Sequence, residues 1–238
     1  MSPEEKYQKI CQSAGLTHFQ NHPLFSRSVA AGINEYYADV LHKTQKNLNK
    51  RGFTAIVCAK ASEVEGTVSK LFANSVLRNI GFGNSQTTRL CGLVEWAEAV
   101  AENVYQHDPR NFSAEDDRQA LFSDAYFSSA NAVSEKGHII NIDGTGNRVS
   151  ATCFGPKEVI YVVGRNKVSP TLETAVDRAK HAAVHLATFY QRNTPCAQTG
   201  RCHDCLSPEC VCGVTTVHRK ALIGNSITVI LVNEDLGL

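Results

Sequence analysis

The chain has 238 residues, of which 42% are hydrophobic and 20% charged, and its formal net charge is +1. This length fits one large or two small globular domains, and a charge so close to zero does not indicate a nucleic-acid or anionic-membrane partner. The N-terminus lacks a basic segment leading into an apolar stretch, and no later window approaches the roughly eighteen apolar residues of a membrane span. We therefore expect a soluble, cytoplasmic protein that binds neither nucleic acid nor membrane.

Apolar residues at near-helical spacing predict a long first helix over residues 24–50, with Gly52 as its stop. Beyond it, short apolar runs alternate with helical periodicities. The predicted strands are residues 53–58, 79–83, 125–128, 138–142, 158–163, 214–218 and 227–232. The predicted helices are one capped by Ser62, with Val64, Val68, Leu71 and Phe72 on one face, and residues 93–105, 115–122 and 171–190.

This alternation of strands and helices determines the predicted fold class. Parallel neighbours in a sheet need crossover connections, so strands separated by helices predict a mostly parallel sheet with helices on both faces. We predict one α/β domain over residues 24–238, which includes a cysteine-rich loop at 194–213. A helical N-terminal extension over residues 1–23 precedes it.

The first of two glycine-rich segments, residues 80–88, begins where the strand predicted at 79–83 enters a turn. Two glycines and then hydroxyl and amide side chains at a helix start allow backbone N–H groups to approach an anion. The alternative is an ordinary helix start capped by Ser or Thr. The segment lacks the lysine of a P-loop and the spacing of GxGxxG. Its candidate ligand-binding residues are Gly81, Gly83, Ser85 and Thr87.

The second glycine-rich segment, Asn141-Ile-Asp-Gly-Thr-Gly-Asn-Arg148, follows another predicted strand. Here Arg148 is the candidate anion partner and Asp143 the candidate acceptor or base. A turn closed by an Asp-Gly pair is the competing interpretation. Lys167, just after the strand predicted at 158–163, is a further candidate because clefts of α/β folds lie where strands end. The remaining candidates in this segment are Gly144, Thr145 and Asn147.

Five of the nine cysteines fall between residues 196 and 212. Thiolates favour soft metal ions, and in a reducing compartment clustered cysteines indicate metal or redox chemistry more often than crosslinks. The other four lie among apolar or helical neighbours and are expected to act as small buried hydrophobic residues without a function. These four are Cys11, Cys58, Cys91 and Cys153.

Several strings resemble the lactate-utilization (LUD) domain family. They are residues 124–133, 137–149 and 154–157, and the match is extended by 162–167, 194–196 and 232–237. The resemblance covers the chain from about residue 24 onward. Members of this family accompany iron-sulfur proteins in bacterial lactate oxidation, so the resemblance implies iron-sulfur partner proteins. Other members stand alone and have no established reaction.

The family is similar to a superfamily that contains ribose-phosphate isomerase and CoA transferases, which implies a Rossmann-like α/β fold and a homo-oligomer. In those relatives an early glycine turn grips substrate phosphate, and residues 81–88 have the matching position. Asn131 with Gly144 and Thr145 corresponds to a segment that lines the cleft in sugar-phosphate isomerases. However, Ser129 to Asn131 stands where an aspartate-bearing isomerase motif is expected, which argues against that activity.

Similar proteins also carry a cysteine pattern that maps onto this chain. It implies four metal ligands, while Cys210 occupies a place where a basic residue is more usual. Four thiolates suit zinc or an iron-sulfur cluster. Reduced thiols lining a loop, or a reversible disulfide between Cys202 and Cys205, are the alternatives. The implied ligands are Cys196, Cys202, Cys205 and Cys212.

These observations predict a cleft for a small anionic metabolite, phosphorylated or carboxylated, with a link to lactate or organic-acid utilization. One alternative is a non-catalytic subunit or sensor that binds a metal or an iron-sulfur cluster. Another is an enzyme resembling sugar-phosphate isomerases or CoA transferases. The sequence does not choose between an enzyme and a binding protein, since no acid, base and nucleophile constellation is recognisable.

Overall fold

The fold is that of a computed structural model, which describes residues 5, 9, 23–107 and 113–238, with the side chains of 23–30 excepted. The extension predicted over 1–23, like Cys11, therefore lies almost wholly outside the described residues. The chain divides into two compact units, residues 1–40 and 41–238. Helix α1, Pro23–Lys50, runs through this boundary and confirms the first predicted helix. All strands of the described residues belong to the second unit.

Helix α1 ends where the sequence predicts. Gly52 follows it with a φ of +85°, a conformation that favours glycine, and its N–H donates to the carbonyl of Asn49 at 3.0 Å. The further helices in the described residues are α2 Val64–Leu71, α3 Gln86–Leu90, α4 Leu93–Val100, α5 Ala114–Ala120, α6 Asn147–Phe154, α7 Leu172–Phe189 and α8 Pro195–Thr199. The strands are β1 Thr54–Cys58, β2 Asn79–Phe82, β3 Asn103–Gln106, β4 Ala125–Ser128, β5 Ala132–Ser134, β6 Ile139–Asp143, β7 Glu158–Gly164, β8 Val168–Ser169, β9 Val214–His218 and β10 Ser226–Val232.

Six strands form a fully parallel sheet in the order β1-β10-β7-β4-β2-β3. Successive side chains of a strand point to opposite faces, and β7 shows this alternation. Ile160 and Val162 belong to a core with α2 and α4, whereas Val159, Tyr161 and Val163 belong to a core that includes α1. The sheet is thus covered on both faces, which confirms the predicted Rossmann-like α/β fold.

A smaller sheet of four strands, in the order β8-β5-β6-β9, was not predicted. One of its faces packs Val133 and Ile139 into the core of the large sheet. The other face packs Ile140 and Ile142 against alanines of α7. The small alanine side chains allow the helix to approach the sheet closely, so α7 is held at a defined distance from the strands.

Several boundaries differ from the sequence-based predictions. Residues 93–105 were predicted as one helix, but α4 ends at Val100 and residues 103–106 pair in parallel with β2 as strand β3. Ser62 lies in a short 3₁₀ turn rather than at the start of α2, whose N-cap is Glu63. The prediction missed the strands β5 and β8 and the helix α8. Each has too few residues for a repeating apolar pattern to be recognised.

Two cysteines behave as predicted. Cys58 and Cys91 are buried in the core beneath α2 and α4, and burial raises the pKa of the Cys91 thiol to about 11. Cys153 is half-buried, with its sulfur 3.3 Å from Nε2 of His218. In the described part of the chain, no helix combines the length and the apolar character needed to cross a membrane.

Candidate functional site

A cavity of about 310 Å³ opens where β2, β4 and β7 end. These strands are neighbours in the sheet. The next strand of this sheet after β2 is β3, on one side, whereas the next after β4 is β7, on the other side. Such a reversal at the carboxyl edge of a parallel sheet is where α/β folds bind ligands. We call this cavity the cleft. Its lining consists of Asn84, Ser85, Gln86, Thr87, Arg89, Ser129, Ala130, Asn131, Arg148, Lys167, Leu186, Phe189, Tyr190 and Leu238.

Lys167 is the most unusual of these residues. Only 4% of it is exposed, and its Nζ donates to Oγ1 of Thr87 at 2.9 Å and to Oγ of Ser129 at 3.0 Å. Within the described residues, no carboxylate forms an ion pair with it. Burial, and then the guanidinium groups of Arg178 and Arg148, lowers the pKa of Lys167 from 10.5 to about 7. Protonated and neutral forms of this amine therefore coexist near neutral pH.

The two hydroxyl groups act as acceptors toward this lysine. Thr87 Oγ1 donates its proton to the carbonyl of Leu236 at 3.3 Å, and Ser129 Oγ donates to the carbonyl of Ala130 at 3.4 Å. A hydroxyl has one donor and two acceptor lone pairs, so both oxygens still accept from Nζ. The lysine is held between Thr87 of α3 and Ser129 after β4, which are distant from it in sequence, and its position is therefore fixed by the tertiary fold.

The guanidinium group of Arg148 is partly satisfied by its surroundings. Its Nη2 donates to the carbonyl of Ile142 at 2.6 Å, and its Nε lies 3.6 Å from Oδ2 of Asp143. Among the described residues, its Nη1 has no hydrogen-bond partner. Gly83 lets this side chain lie against β2, since a Cβ at position 83 would come within 2.6 Å of Arg148 Cγ. Arg148 is thus oriented in advance and keeps donors for an anion.

Asp143 has a structural use in the second glycine-rich segment. Its Oδ2 accepts from the backbone N–H groups of Arg148 and Val149 at 3.0 and 3.3 Å, and its Oδ1 accepts from that of Thr145 at 3.3 Å. A carboxylate at the start of α6 stabilises the helix by satisfying these N–H groups. This arrangement makes Asp143 a fixing point for Arg148.

Three residues of this segment contact other elements and are absent from the cleft lining: Gly144, Thr145 and Asn147. A Cβ on Gly144 would approach Cα of Val211 to 3.1 Å, so the glycine admits the cysteine segment. Thr145 donates to Oδ1 of Asn147 at 2.9 Å, and Asn147 donates to Oδ1 of Asp117 at 3.2 Å. Thr145 and Asn147 are thus engaged in side-chain hydrogen bonds with each other and with α5.

In the first glycine-rich segment, Ser85 caps α3, with its Oγ accepting from the N–H of Thr88 at 3.4 Å. Asn84 has a φ of +51°, an unusual conformation that Asn tolerates better than most residues. Its side chain donates to the Tyr190 hydroxyl at 3.4 Å and accepts from Arg89 at 3.3 Å. Asn84 therefore links the strand end to the end of α7.

Asn131 fixes the floor of the cleft. Its Oδ1 accepts from the N–H of Ile142 at 2.9 Å, and its carbonyl accepts from Nη1 of Arg178. Arg178 in turn donates from Nε to the carbonyl of Asn166 at 2.8 Å. This arginine of α7 ties Asn131, in the link between β4 and β5, to the residue before Lys167, which keeps the segments that follow β4 and β7 together.

The structure brings some of the predicted site residues together and places others elsewhere. The cleft lining includes Ser85, Thr87, Asn131, Arg148 and Lys167. The lining omits Gly81, Gly83, Asp143, Gly144, Thr145 and Asn147. Sequence reasoning missed Ser129 and Arg89 as well as the apolar wall of Leu186, Phe189 and Tyr190. Ser129 carried a usable signal, because it directly follows a buried strand.

The cysteine segment, residues 194–213, is largely exposed and irregular after α8. All its cysteines are free thiols. Burial, and then the neighbouring thiols of Cys210, Cys202 and Cys205, raises the pKa of Cys212 to about 11. Cys196 instead shares a hydrogen bond of 3.2 Å with the hydroxyl of Thr194. In this arrangement Cys210, which the sequence set apart, lies with the others around Cys212.

The placement of the cysteines forms no group of metal ligands among the described residues. Across residues 23–107 and 113–238, no three His, Cys, Asp or Glu side chains converge as ligands of a metal ion. Zinc or an iron-sulfur cluster on Cys196, Cys202, Cys205 and Cys212 stays a prediction from sequence.

Comparisons with known proteins give a family match and a structural neighbour. The model of the LUD domain family matches residues 41–232. A search of curated proteins finds no match. Among solved structures, a DUF162 family protein from Deinococcus radiodurans is 18% identical over 82% of this chain and 98% of its own, with a TM-score of 0.48. A likeness at that level does not extend to function.

Proposed function

The chain belongs to the LUD domain family, and we propose that its cleft binds a small anionic metabolite, a carboxylate or a phosphate ester, used in organic-acid metabolism. Membership in the family supports a role related to lactate utilization in general. The ligand class comes from the chemistry of the cleft.

One observation carries the proposal: the charge of the lining. Arg89, Arg148 and Lys167 contribute basic groups, and the described lining contains no Asp or Glu side chain. Arg148 has one acidic neighbour, Asp143, at 3.6 Å from its Nε, and Lys167 has none among the described residues, so an anion between these two basic groups relieves their repulsion. An anionic ligand also satisfies the donors that the protein leaves unpaired.

The shape of the cleft favours a small ligand with one polar side and one apolar side. Polar side chains after the strands form one wall, whereas Leu186 and Phe189 of α7 form an apolar wall. A molecule with an anionic group and a short hydrocarbon or carbonyl part matches both walls. The cavity of about 310 Å³ lies at the lower end of the range for small-molecule sites.

Arg148 is the expected anion partner. Unlike Arg89, which is exposed, it is held by Ile142 and Asp143 before any ligand arrives. A prepositioned guanidinium loses little side-chain entropy on binding, so its hydrogen bonds to a carboxylate or phosphate contribute more to affinity.

Calorimetric titration with lactate, a 2-oxo acid, inorganic phosphate and an uncharged amide tests the proposal. We expect the anions to bind and the amide not to bind. Arg148→Gln removes a charge-assisted hydrogen bond worth about 1.5–3 kcal/mol, so we expect roughly tenfold or more weaker binding. The matched control is Arg118→Gln on α5, where the side chain is 68% exposed.

Two results would contradict this function. One is an amide that binds as tightly as the anions, and the other is an Arg148→Gln variant with unchanged affinity. Cys202→Ser distinguishes this function from the rival hypothesis of a metal- or cluster-binding subunit. If the cleft is the site, this exposed cysteine can be replaced without loss of anion binding, whereas loss of binding with Cys202→Ser alone would favour the rival.

A further inference from the structure

Lys167 is arranged to react as a neutral amine. A neutral amine has two N–H groups and one lone pair, whereas an ammonium has three N–H groups and no lone pair. In the described residues Nζ has two acceptors, Thr87 and Ser129, and no third. The hydrogen-bonding partners therefore match the neutral form and leave its lone pair unengaged.

The charges around Lys167 point the same way. Arg178 and Arg148 both lower the pKa of this lysine, after burial, and no described carboxylate opposes them by pairing with Nζ. An amine that is largely buried, lacks a counter-ion and stands beside cationic groups is the form of lysine that acts as a nucleophile toward carbonyl groups.

The fold holds the amine in a fixed position. Gly237 has a φ of +62°, and a Cβ there would come within 2.6 Å of Thr87 Oγ1 and 3.3 Å of Lys167 Nζ. Residues 236 and 237 are held beside the amine by two hydrogen bonds. Thr87 donates to the Leu236 carbonyl, and Asn166 donates to the Gly237 carbonyl at 3.2 Å. The amine is thus enclosed on one side and borders the cleft on another.

We propose that the cleft takes a small 2-oxo acid and that Lys167 forms a covalent imine with its carbonyl carbon. The inference rests on the proposed function, because Arg148 would hold the carboxylate of the same molecule. It adds the chemical class of the ligand and a covalent step that anion binding alone does not require.

The step is balanced without an oxidant or a reductant. The Nζ lone pair attacks the carbonyl carbon and forms a C–N bond, while the carbonyl π electrons move to the oxygen, which takes up a proton. The resulting carbinolamine loses that oxygen as water, and the nitrogen loses its second proton as C=N forms. The two N–H protons of the amine and the carbonyl oxygen leave together as one water molecule.

The test uses the full-length protein with pyruvate and cyanoborohydride, which delivers hydride to an imine carbon and converts it to a stable secondary amine. Peptide mapping by mass spectrometry then locates a mass increase equal to pyruvic acid minus one oxygen. We expect Lys167 to carry roughly tenfold or more of the adduct found on any exposed lysine, because ordinary lysines are almost fully protonated at neutral pH.

Lys167→Met should abolish the main adduct, whereas Lys70→Met, on the exposed side of α2, should leave it unchanged. Mapping on the wild-type chain needs no variant, so the test survives if Lys167→Met fails to fold. Lactate has a carboxylate but no ketone and should lower the yield by competition.

The outcomes separate the two proposals. Calorimetric binding of pyruvate without an excess of adduct at Lys167 would overturn the imine and leave the anion cleft intact. Adduct spread evenly over exposed lysines would overturn it as well. If pyruvate neither binds nor reacts, and the other anions do not bind, both proposals fall.

Discussion

Lys167 in the cleft is 4% exposed and held by two hydroxyl groups, whereas Leu206 in the cysteine segment is 99% exposed. The cleft is built at the ends of three buried strands, and its polar groups are fixed by partners distant in sequence. The cysteine segment carries the most conspicuous motif of the chain but has few contacts that fix its thiols. In this chain the densest motif therefore lies in an exposed segment, whereas the polar residues that follow buried strands are held in defined positions.

The largest expected effect concerns the core beneath the cleft. Phe127 of β4 is fully buried, with its ring 5.3 Å from that of Phe82 and 5.6 Å from that of Trp96. Phe127→Ala removes these contacts and leaves a cavity, so we expect the free energy of unfolding to fall by about 3–5 kcal/mol. Leu206→Ala should change it by less than about 0.5 kcal/mol. Urea denaturation of both variants measures the difference, and similar losses would remove the contrast between the two regions.

A smaller effect is expected at the glycine beside Arg148. A Cβ at position 83 would come within 2.6 Å of Arg148 Cγ and 2.8 Å of the Tyr126 hydroxyl. Gly83→Ala should therefore lower the free energy of unfolding by about 1–3 kcal/mol and weaken anion binding by displacing Arg148.

Gly66 on α2 provides the matched control for this substitution, because no described atom outside its chain neighbours and its own helix backbone lies within 4 Å of its added Cβ. Gly66→Ala should stabilise the protein by up to about 1 kcal/mol, since alanine favours helices. Opposite signs for the two variants in thermal unfolding are expected. A harmless Gly83→Ala would show that Arg148 is not held against β2.

The smallest effect is a pH dependence that originates in Lys167. Its pKa is about 7 in the folded protein and 10.5 in its ordinary state, so the unfolded chain binds more protons between these values. Stability should therefore rise with pH across this interval, by about 1 kcal/mol between pH 7 and pH 8 relative to Lys167→Met. Urea denaturation of both proteins at each pH measures this difference. Parallel pH profiles would mean that the buried amine keeps its ordinary proton affinity.

Much of the fold could be predicted because its central strands are continuous apolar runs. β4, β7 and β10 were each located within one or two residues, and buried parallel strands have this pattern. β3 could not be separated from the preceding helix, since Val104 and Tyr105 continue an apolar stretch and only pairing with β2 reveals the strand. Short strands such as β8 depend on neighbours that the local sequence does not specify.

The candidate site was predictable only in part. Arg148 and Lys167 stood out as cations near strand ends, and both line the cleft. The sequence could not predict that Asp143 accepts hydrogen bonds from backbone N–H groups, because an Asp after a strand can equally serve as a general base. The pairing of Lys167 with Thr87 and Ser129 depends on the sheet order, which brings together residues 38 and 80 positions apart in sequence.

The most direct test of the anion cleft is a crystal structure grown with a saturating concentration of the anion that binds most tightly in the calorimetric series. We predict density in the cleft at the ends of β2, β4 and β7, with an anionic oxygen within hydrogen-bonding distance of Arg148 Nη1. Density against the cysteine segment instead, with the cleft free of the anion, would contradict the account.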